Sequence, residues 1–138
     1  MTTHPNARLL QDVYQAVEQG DLQPLLGLLS EDSTWTDSTL GPLAGTYSKD
    51  EVPLFFGKMM DVYQGTLRVE ILGMIADDAH GVVLTQESGT AGGDRLAWTG
   101  AHVWSFDQGR ATRFVSYGSA EYQRFWAVRA GDTRRRLD

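Results

Sequence analysis

One strand-like stretch of the sequence places a single ionisable side chain among apolar ones. Residues 96–106 alternate, and His102 shares one predicted face with apolar residues and glycine (Leu96, Trp98, Gly100, Trp104 and Phe106). An imidazole withdrawn from water tends to stay neutral, so it can accept or relay a proton near neutral pH. Gly100, two residues before His102 on the same face, leaves space that a ligand could use. The strand alone still favours a structural histidine bonded to a backbone carbonyl or to Gln86.

Asp37 is the second candidate, because it ends a short predicted strand after Trp35 and directly precedes a loop. A carboxylate at the rim of an apolar cavity can have a raised pKa and act as a base. The alternative is turn chemistry, in which Asp37 and Ser38 cap the loop, and the residues by themselves favour it.

Phenols and apolar side chains could complete a site around these two groups. Tyr14 or Tyr47 could donate a hydrogen bond to a developing oxyanion. Met59 and Met60, with Phe55 and Phe56, form an adaptable apolar stripe that core packing explains equally well. No cysteine is present, and the three histidines lack the spacing of a metal site. We therefore expect neither a metal nor another cofactor.

These residues need an α+β framework to bring them together. Helical spacing in the first thirty residues predicts two helices, followed by a short strand, Ser33–Asp37, and a loop, Ser38–Tyr47. A third helix follows, with Asp50 as its expected cap. From Thr66 the period changes to two, which predicts a four-stranded antiparallel meander and then a terminal helical segment. We expect one domain over residues 1–128 and a basic, disordered tail over residues 129–138.

Composition limits the possible partners. The net charge is −6, and 41% of the 138 residues are hydrophobic. An acidic body argues against a nucleic-acid surface, which needs clustered Lys and Arg. Neither a signal peptide nor a membrane-spanning apolar run is visible, so we expect a cytoplasmic protein that does not associate with membranes.

The element order, with the segments VEQGDLQPLLGLLSEDSTWTD, GTYSKDEVPLFFGKM and AHVWSFDQGRATRF, resembles the nuclear transport factor 2-like superfamily. The similarity is greatest to its SnoaL-like and ketosteroid-isomerase-like branch. It implies a cone-shaped α+β barrel with a deep apolar pocket and, in many members, a homodimer formed through the outer face of the sheet. Asp37 falls where the isomerases keep their general base, and His102 falls where a pocket aspartate is usual. The departure at His102 argues against steroid isomerisation.

The resemblance implies a cofactor-independent isomerase or cyclase, acting by acid/base catalysis on a hydrophobic carbonyl or phenolic metabolite, in natural-product biosynthesis. His102 and Asp37 would be catalytic. The expected substrate-binding residues are Tyr14, Trp35, Tyr47, Phe56, Met59, Met60, Gln86, Trp98, Trp104 and Ser116. Two alternatives remain open: a binding module for a small hydrophobic molecule, and a dimerising accessory domain whose pocket is filled by its own side chains.

Overall fold

Four helices and six strands follow one another in the computed structural model, which describes residues 3–137 and the side chains of residues 3–129. The helices are α1 (Pro5–Glu18), α2 (Gln23–Leu28), α3 (Val52–Tyr63) and α4 (Ala120–Leu137). The strands are β1 (Leu29–Asp37), β2 (Gly45–Ser48), β3 (Arg68–Ala76), β4 (His80–Ala91), β5 (Asp94–Asp107) and β6 (Arg110–Gly118). This order confirms the predicted α+β class.

All six strands form one curved mixed sheet in the order β2-β1-β6-β5-β4-β3. The predicted antiparallel meander is present as β3 to β6. The first strand adds to it by pairing with β6 in parallel, and β2 pairs with the outer edge of β1. The connection from β1 to the meander contains β2 and the third helix. The two edge strands, β2 and β3, do not pair with each other, so the sheet forms an open cone rather than a closed barrel.

The segment predicted as a loop, Ser38–Tyr47, contains a strand that the sequence did not reveal. Gly41 and Gly45 lie there at positive φ, and β2 begins at Gly45. The expected Asp50 cap was also wrong. A 3-10 turn, Lys49–Glu51, precedes α3, and the Glu51 carboxylate accepts a hydrogen bond of 3.0 Å from the Ser48 backbone N–H. This extra turn allows both the capping box and a proline in the first turn of α3.

The core lies between the concave face of the sheet and helices α1 and α3. Its largest fully buried side chains include Trp104, Tyr63, Leu10 and Leu25. Trp35 stacks on Phe114 with ring centroids 3.7 Å apart and meets Trp104 edge-on. Burial of these aromatic faces on neighbouring strands fixes which side of β1, β5 and β6 points inward.

Leu10→Ala is expected to lower the free energy of unfolding by about 2–5 kcal/mol, because Leu10 is 0% exposed and its removal leaves a cavity. The neighbouring Leu9 is 38% exposed, so Leu9→Ala is the matched control and should cost less than about 1 kcal/mol. Urea unfolding followed by tryptophan fluorescence measures both. Equal losses in the two variants would contradict this assignment of the α1 faces.

The C-terminal segment is only partly described. The helix α4 includes the predicted terminal helical segment, and Tyr122 packs against Trp98 with ring centroids 4.9 Å apart. The expected disordered tail covers residues 129–138. All of its side chains except that of Arg129 lie outside the described part of the chain. Within the described residues, the helices are all too short or too polar to cross a membrane.

Candidate active site

Inward alternation along β5 is confirmed. Leu96, Trp98, Trp104 and Phe106 are buried, and His102 lies on the same face with 12% of its side chain exposed. Across the sheet, His102 pairs with Ser116 of β6, and Ser116 pairs with Asp37 of β1. The two candidate residues therefore occupy one row, with their Cα atoms two strand spacings apart, roughly 10 Å. They face the same space without a direct hydrogen bond to each other.

An open cavity of about 1680 Å³ occupies the concave side of the sheet. This exceeds the roughly 300–1,000 Å³ usual for small-molecule sites, so the cone is not filled by its own side chains. All of the predicted site residues except Tyr47 line the cavity: Tyr14, Trp35, Asp37, Phe56, Met59, Met60, Gln86, Trp98, His102, Trp104 and Ser116. The hypothesis of a self-filled accessory domain loses its structural basis.

Two of the predicted contacts differ from expectation. The Tyr47 hydroxyl donates to the Leu43 carbonyl at 3.0 Å and packs on Phe55, which places it in the core rather than at the cavity. The Gln86 amide donates to the Trp98 carbonyl at 3.1 Å instead of meeting His102. Gln86 alternates with the inward residues of β4, so its two neighbours in sequence, Thr85 and Glu87, share the inner face with the histidine instead.

Tyr14 and His102 form a short hydrogen bond. The Tyr14 hydroxyl lies 2.6 Å from His102 Nδ1, and the Trp104 indole N–H donates to the same hydroxyl oxygen at 3.2 Å. Burial strongly raises the pKa of Tyr14, opposed by the hydrogen bond from Trp104 and reinforced by the Glu87 charge. The phenol therefore stays protonated across the physiological range, so that its proton is available to a hydrogen-bond acceptor.

Glu87 is a site residue that the sequence analysis missed. Its carboxylate Oε2 lies 3.6 Å from His102 Nε2, and only 10% of its side chain is exposed. The Thr85 hydroxyl donates to the same oxygen at 2.8 Å. A hairpin register could have located it: the two-residue turn at Gly92 and Gly93 pairs Ala91 with Asp94, which sets Glu87 opposite the inward-facing Trp98.

Asp37 is held in one orientation by its own loop. The Thr39 backbone N–H and hydroxyl both donate to Oδ1, at 3.1 and 2.7 Å, and the residue is 7% exposed. Burial raises the pKa of Asp37 above its ordinary value, the Thr39 hydrogen bonds oppose this, and the nearby Glu87 charge adds to it. A raised pKa makes the ionised carboxyl group a stronger base, and its Oδ2 is left for a ligand.

The ionisable groups of the cavity do not form a metal centre. Among the described residues, no three His, Asp or Glu side chains are placed to hold a metal ion. The arrangement instead provides a buried carboxyl group, a histidine–phenol pair and a wall of aromatic rings. Such a set can move protons on a bound organic molecule and exclude water from it.

A family comparison agrees with this geometry. The model of the SnoaL-like domain matches residues 10–114, which cover most of α1, all of α2 and α3, strands β1 to β5 and the first half of β6. The chain belongs to the SnoaL-like family. Among curated proteins, none matches it.

Solved structures share the fold of this SnoaL-like chain. Bal32a, from a soil-derived mobile gene cassette, is 23% identical with a TM-score of 0.78, over 88% of this chain and 95% of its own. An NTF2-like protein of unknown function from Burkholderia pseudomallei is 27% identical with a TM-score of 0.71, over 83% and 90%. TerC, co-crystallised with polyporic acid, is 21% identical with a TM-score of 0.72, over 83% and 92%. The chain therefore has the NTF2-like fold.

Proposed function

We propose that this SnoaL-like protein is a cofactor-independent isomerase or cyclase that uses acid/base catalysis on a hydrophobic carbonyl or phenolic metabolite. One observation carries this proposal: the Asp37 carboxyl group and the Tyr14–His102 pair face a single aromatic-walled cavity from different strands and a helix. A proton-transfer reaction next to a carbonyl needs one group at carbon and another at oxygen.

In this proposal the two sides of the cavity have separate roles. Asp37 exchanges a proton with a substrate carbon, because it lines the cavity and burial raises its pKa. The Tyr14–His102 pair exchanges a proton with the substrate oxygen. The substrate rings are held by the aromatic wall of the cavity, which is formed by Trp35, Trp98, Trp104 and Phe56. This contact orients the reacting carbon and keeps water away from the intermediate.

A place in natural-product metabolism is part of the same proposal. Its support is the aromatic lining of the cavity together with the polyporic acid with which the structural neighbour TerC was co-crystallised. The aromatic lining favours a ligand that carries rings over a flexible aliphatic one.

A binding module is the second candidate. It is favoured by the short Tyr14–His102 hydrogen bond, since a phenol proton already held by the protein offers less to a substrate oxygen. The two candidates differ in whether the ligand exchanges protons with the protein. Binding of a ligand without proton exchange would favour the binding module.

The discriminating assay uses 2-tetralone, an aromatic ketone with acidic hydrogens next to its carbonyl group. The wild-type protein is incubated with it in D₂O, and deuterium uptake at the α-carbons is followed by proton NMR. The proposal expects uptake faster than in buffer and faster than with heat-denatured protein. Saturable binding of the ketone with deuterium uptake at the buffer rate would refute the enzyme and support the binding module.

We also propose a homodimer formed through the outer face of the sheet. That face is apolar across four strands, and it exposes 72% of Ile75, 49% of Leu84 and 47% of Tyr117. An apolar surface of this kind on a folded domain is typical of an interface. The neighbouring outward residues Val82, Ala101 and Val103 extend it without a charge.

Leu84→Glu is expected to convert a dimer to a monomer, because it buries a charge in the proposed interface. Size-exclusion chromatography with light scattering gives the mass directly. Leu54→Glu is the matched control, since Leu54 is 54% exposed on α3 and lies outside the outer face. A wild-type mass of 15.3 kDa at micromolar concentration would contradict the dimer.

A further inference from the structure

The cavity contains a second buried carboxylate, Glu87, which has no role in the proton transfers proposed above. Glu87 is 8% exposed and enters from the inner face of β4. Gly100, on the neighbouring strand, makes room for it: a Cβ atom there would lie 2.7 Å from Glu87 Oε2 and 2.7 Å from the Thr85 hydroxyl. The space that the sequence attributed to a ligand is filled by this carboxylate, which reaches over Gly100 toward His102.

The position of the carboxylate determines which nitrogen of His102 carries the proton. Oε2 already accepts a hydrogen bond from Thr85 and lies 3.6 Å from Nε2. An unprotonated Nε2 would point its lone pair at an oxygen that can only accept, which is repulsive, whereas an Nε2–H is attracted to it. The neutral ring therefore carries its proton on Nε2, and Nδ1 is an acceptor.

The direction of the remaining hydrogen bonds follows from this tautomer. Since Nδ1 accepts, the Tyr14 hydroxyl donates to it across the 2.6 Å contact. The Tyr14 oxygen receives the Trp104 N–H and retains one acceptor position. In this series of hydrogen bonds, from Trp104 through Tyr14 and His102, every donor points toward Glu87. The free position on the Tyr14 oxygen, which faces the cavity, is therefore a hydrogen-bond acceptor.

We infer that Glu87 is a positioning residue that fixes the Nε2–H tautomer of His102 and so makes the cavity select hydroxyl-bearing ligands, phenols or enols, over ligands without that proton. The inference rests on the proposed function, since phenols and enols are the hydroxyl forms of its substrate class. The ligand O–H donates to the Tyr14 oxygen. When the ligand gives up that proton, the Tyr14 proton moves to Nδ1, leaving a ligand anion and an imidazolium that faces Glu87.

Nitrogen-15 NMR of the His102 ring tests the tautomer without any turnover. In wild type, Nε2 is expected to be protonated and Nδ1 not. Tyr14→Phe removes the donor at Nδ1 and leaves only Glu87 to hold the tautomer, so the same pattern should persist. Tyr14→Phe with Glu87→Leu should instead show both tautomers in exchange, and Tyr14→Phe with Glu87→Gln, whose amide oxygen still accepts, should retain the lock. An Nδ1–H ring in wild type, or loss of the lock in Tyr14→Phe alone, would overturn the inference.

A matched ligand pair tests the selectivity. 2-Naphthol and 2-methoxynaphthalene differ in one hydroxyl proton, and calorimetry should find the naphthol bound about tenfold more tightly, the worth of one neutral hydrogen bond. Glu87→Leu should bring the two affinities within about threefold of each other. Equal affinities in wild type would overturn the inference, whether or not 2-tetralone exchanges. Conversely, a locked tautomer with naphthol preference but no deuterium uptake would refute the proposed enzyme and leave this inference standing.

Discussion

His102→Ala is expected to slow deuterium uptake by 2-tetralone about 10²–10⁴-fold, the usual range for loss of a general acid/base group. The ring is the only titratable partner in direct hydrogen-bond contact with Tyr14 among the described residues, and it connects that phenol to Glu87. When the enol of the ketone forms, its oxygen takes a proton from the Tyr14–His102 pair, and when carbon is reprotonated that proton returns to the pair. Without the ring, the proton has neither a donor nor an acceptor in the protein beyond Tyr14. The loss should appear in the rate at saturating ketone more than in the ketone affinity.

His80→Ala is the matched control for that variant. His80 lies at the start of β4 with 66% of its side chain exposed, 3.9 Å from Asp77, and does not line the cavity. Its removal should leave deuterium uptake within about twofold of wild type. If His102→Ala exchanged as fast as His80→Ala, the histidine would be a structural core residue and the acid/base role would be refuted.

Asp37→Asn is expected to abolish most of the uptake, by about 10²–10⁴-fold, while increasing stability at neutral pH. The amide cannot take a proton from carbon, but its oxygen can still accept the two Thr39 hydrogen bonds. Asp107→Asn is the control, because that carboxylate lies exposed at the end of β5. Uptake by Asp37→Asn close to that of Asp107→Asn would exclude Asp37 as the carbon base.

The stability change has a defined pH dependence. Burial raises the pKa of Asp37 in the folded state above its unfolded value of about 3.9, so folding favours the protonated carboxyl group. Its stabilising contribution is complete below about pH 4 and is lost as the pH rises through the raised pKa. Asp37→Asn should therefore exceed wild type in free energy of unfolding at pH 7, and the difference should shrink toward acid pH. Urea titrations at both pH values measure it, and a variant that is less stable at pH 7 would contradict the assigned cause.

Local patterns in the sequence were enough to predict most of the elements and one wall of the cavity. The inward face of β5 follows from alternation, because a strand of this length with Trp98, His102 and Trp104 on one side leaves little choice of phase. Asp37 could be identified as a strand end for a similar reason. These are local properties, and they do not depend on which strands are neighbours.

The contacts between elements required information that alternation does not carry. Asp37 comes into line with His102 only because β1 pairs in parallel with β6, about eighty residues later in the chain. The glycine-rich stretch over residues 89–94 does not by itself give the length of the turn, so the phase of β4, and with it Glu87, could not be derived from the sequence. The observed turn is two residues, Gly92 and Gly93, both at positive φ, and this length fixes the register that brings Glu87 inside.

The central claim is that the Tyr14–His102 pair contacts the ligand oxygen while Asp37 contacts the neighbouring carbon. A crystal structure of the protein with 2-naphthol is its strongest test. We expect the naphthol oxygen within hydrogen-bond distance of the Tyr14 hydroxyl, about 2.5–3.0 Å, and the adjacent ring carbon facing Asp37 Oδ2. The rings would then lie between Trp35 and Trp98. A naphthol oxygen bonded away from Tyr14 and His102, or a ligand seated outside the cone, would contradict it.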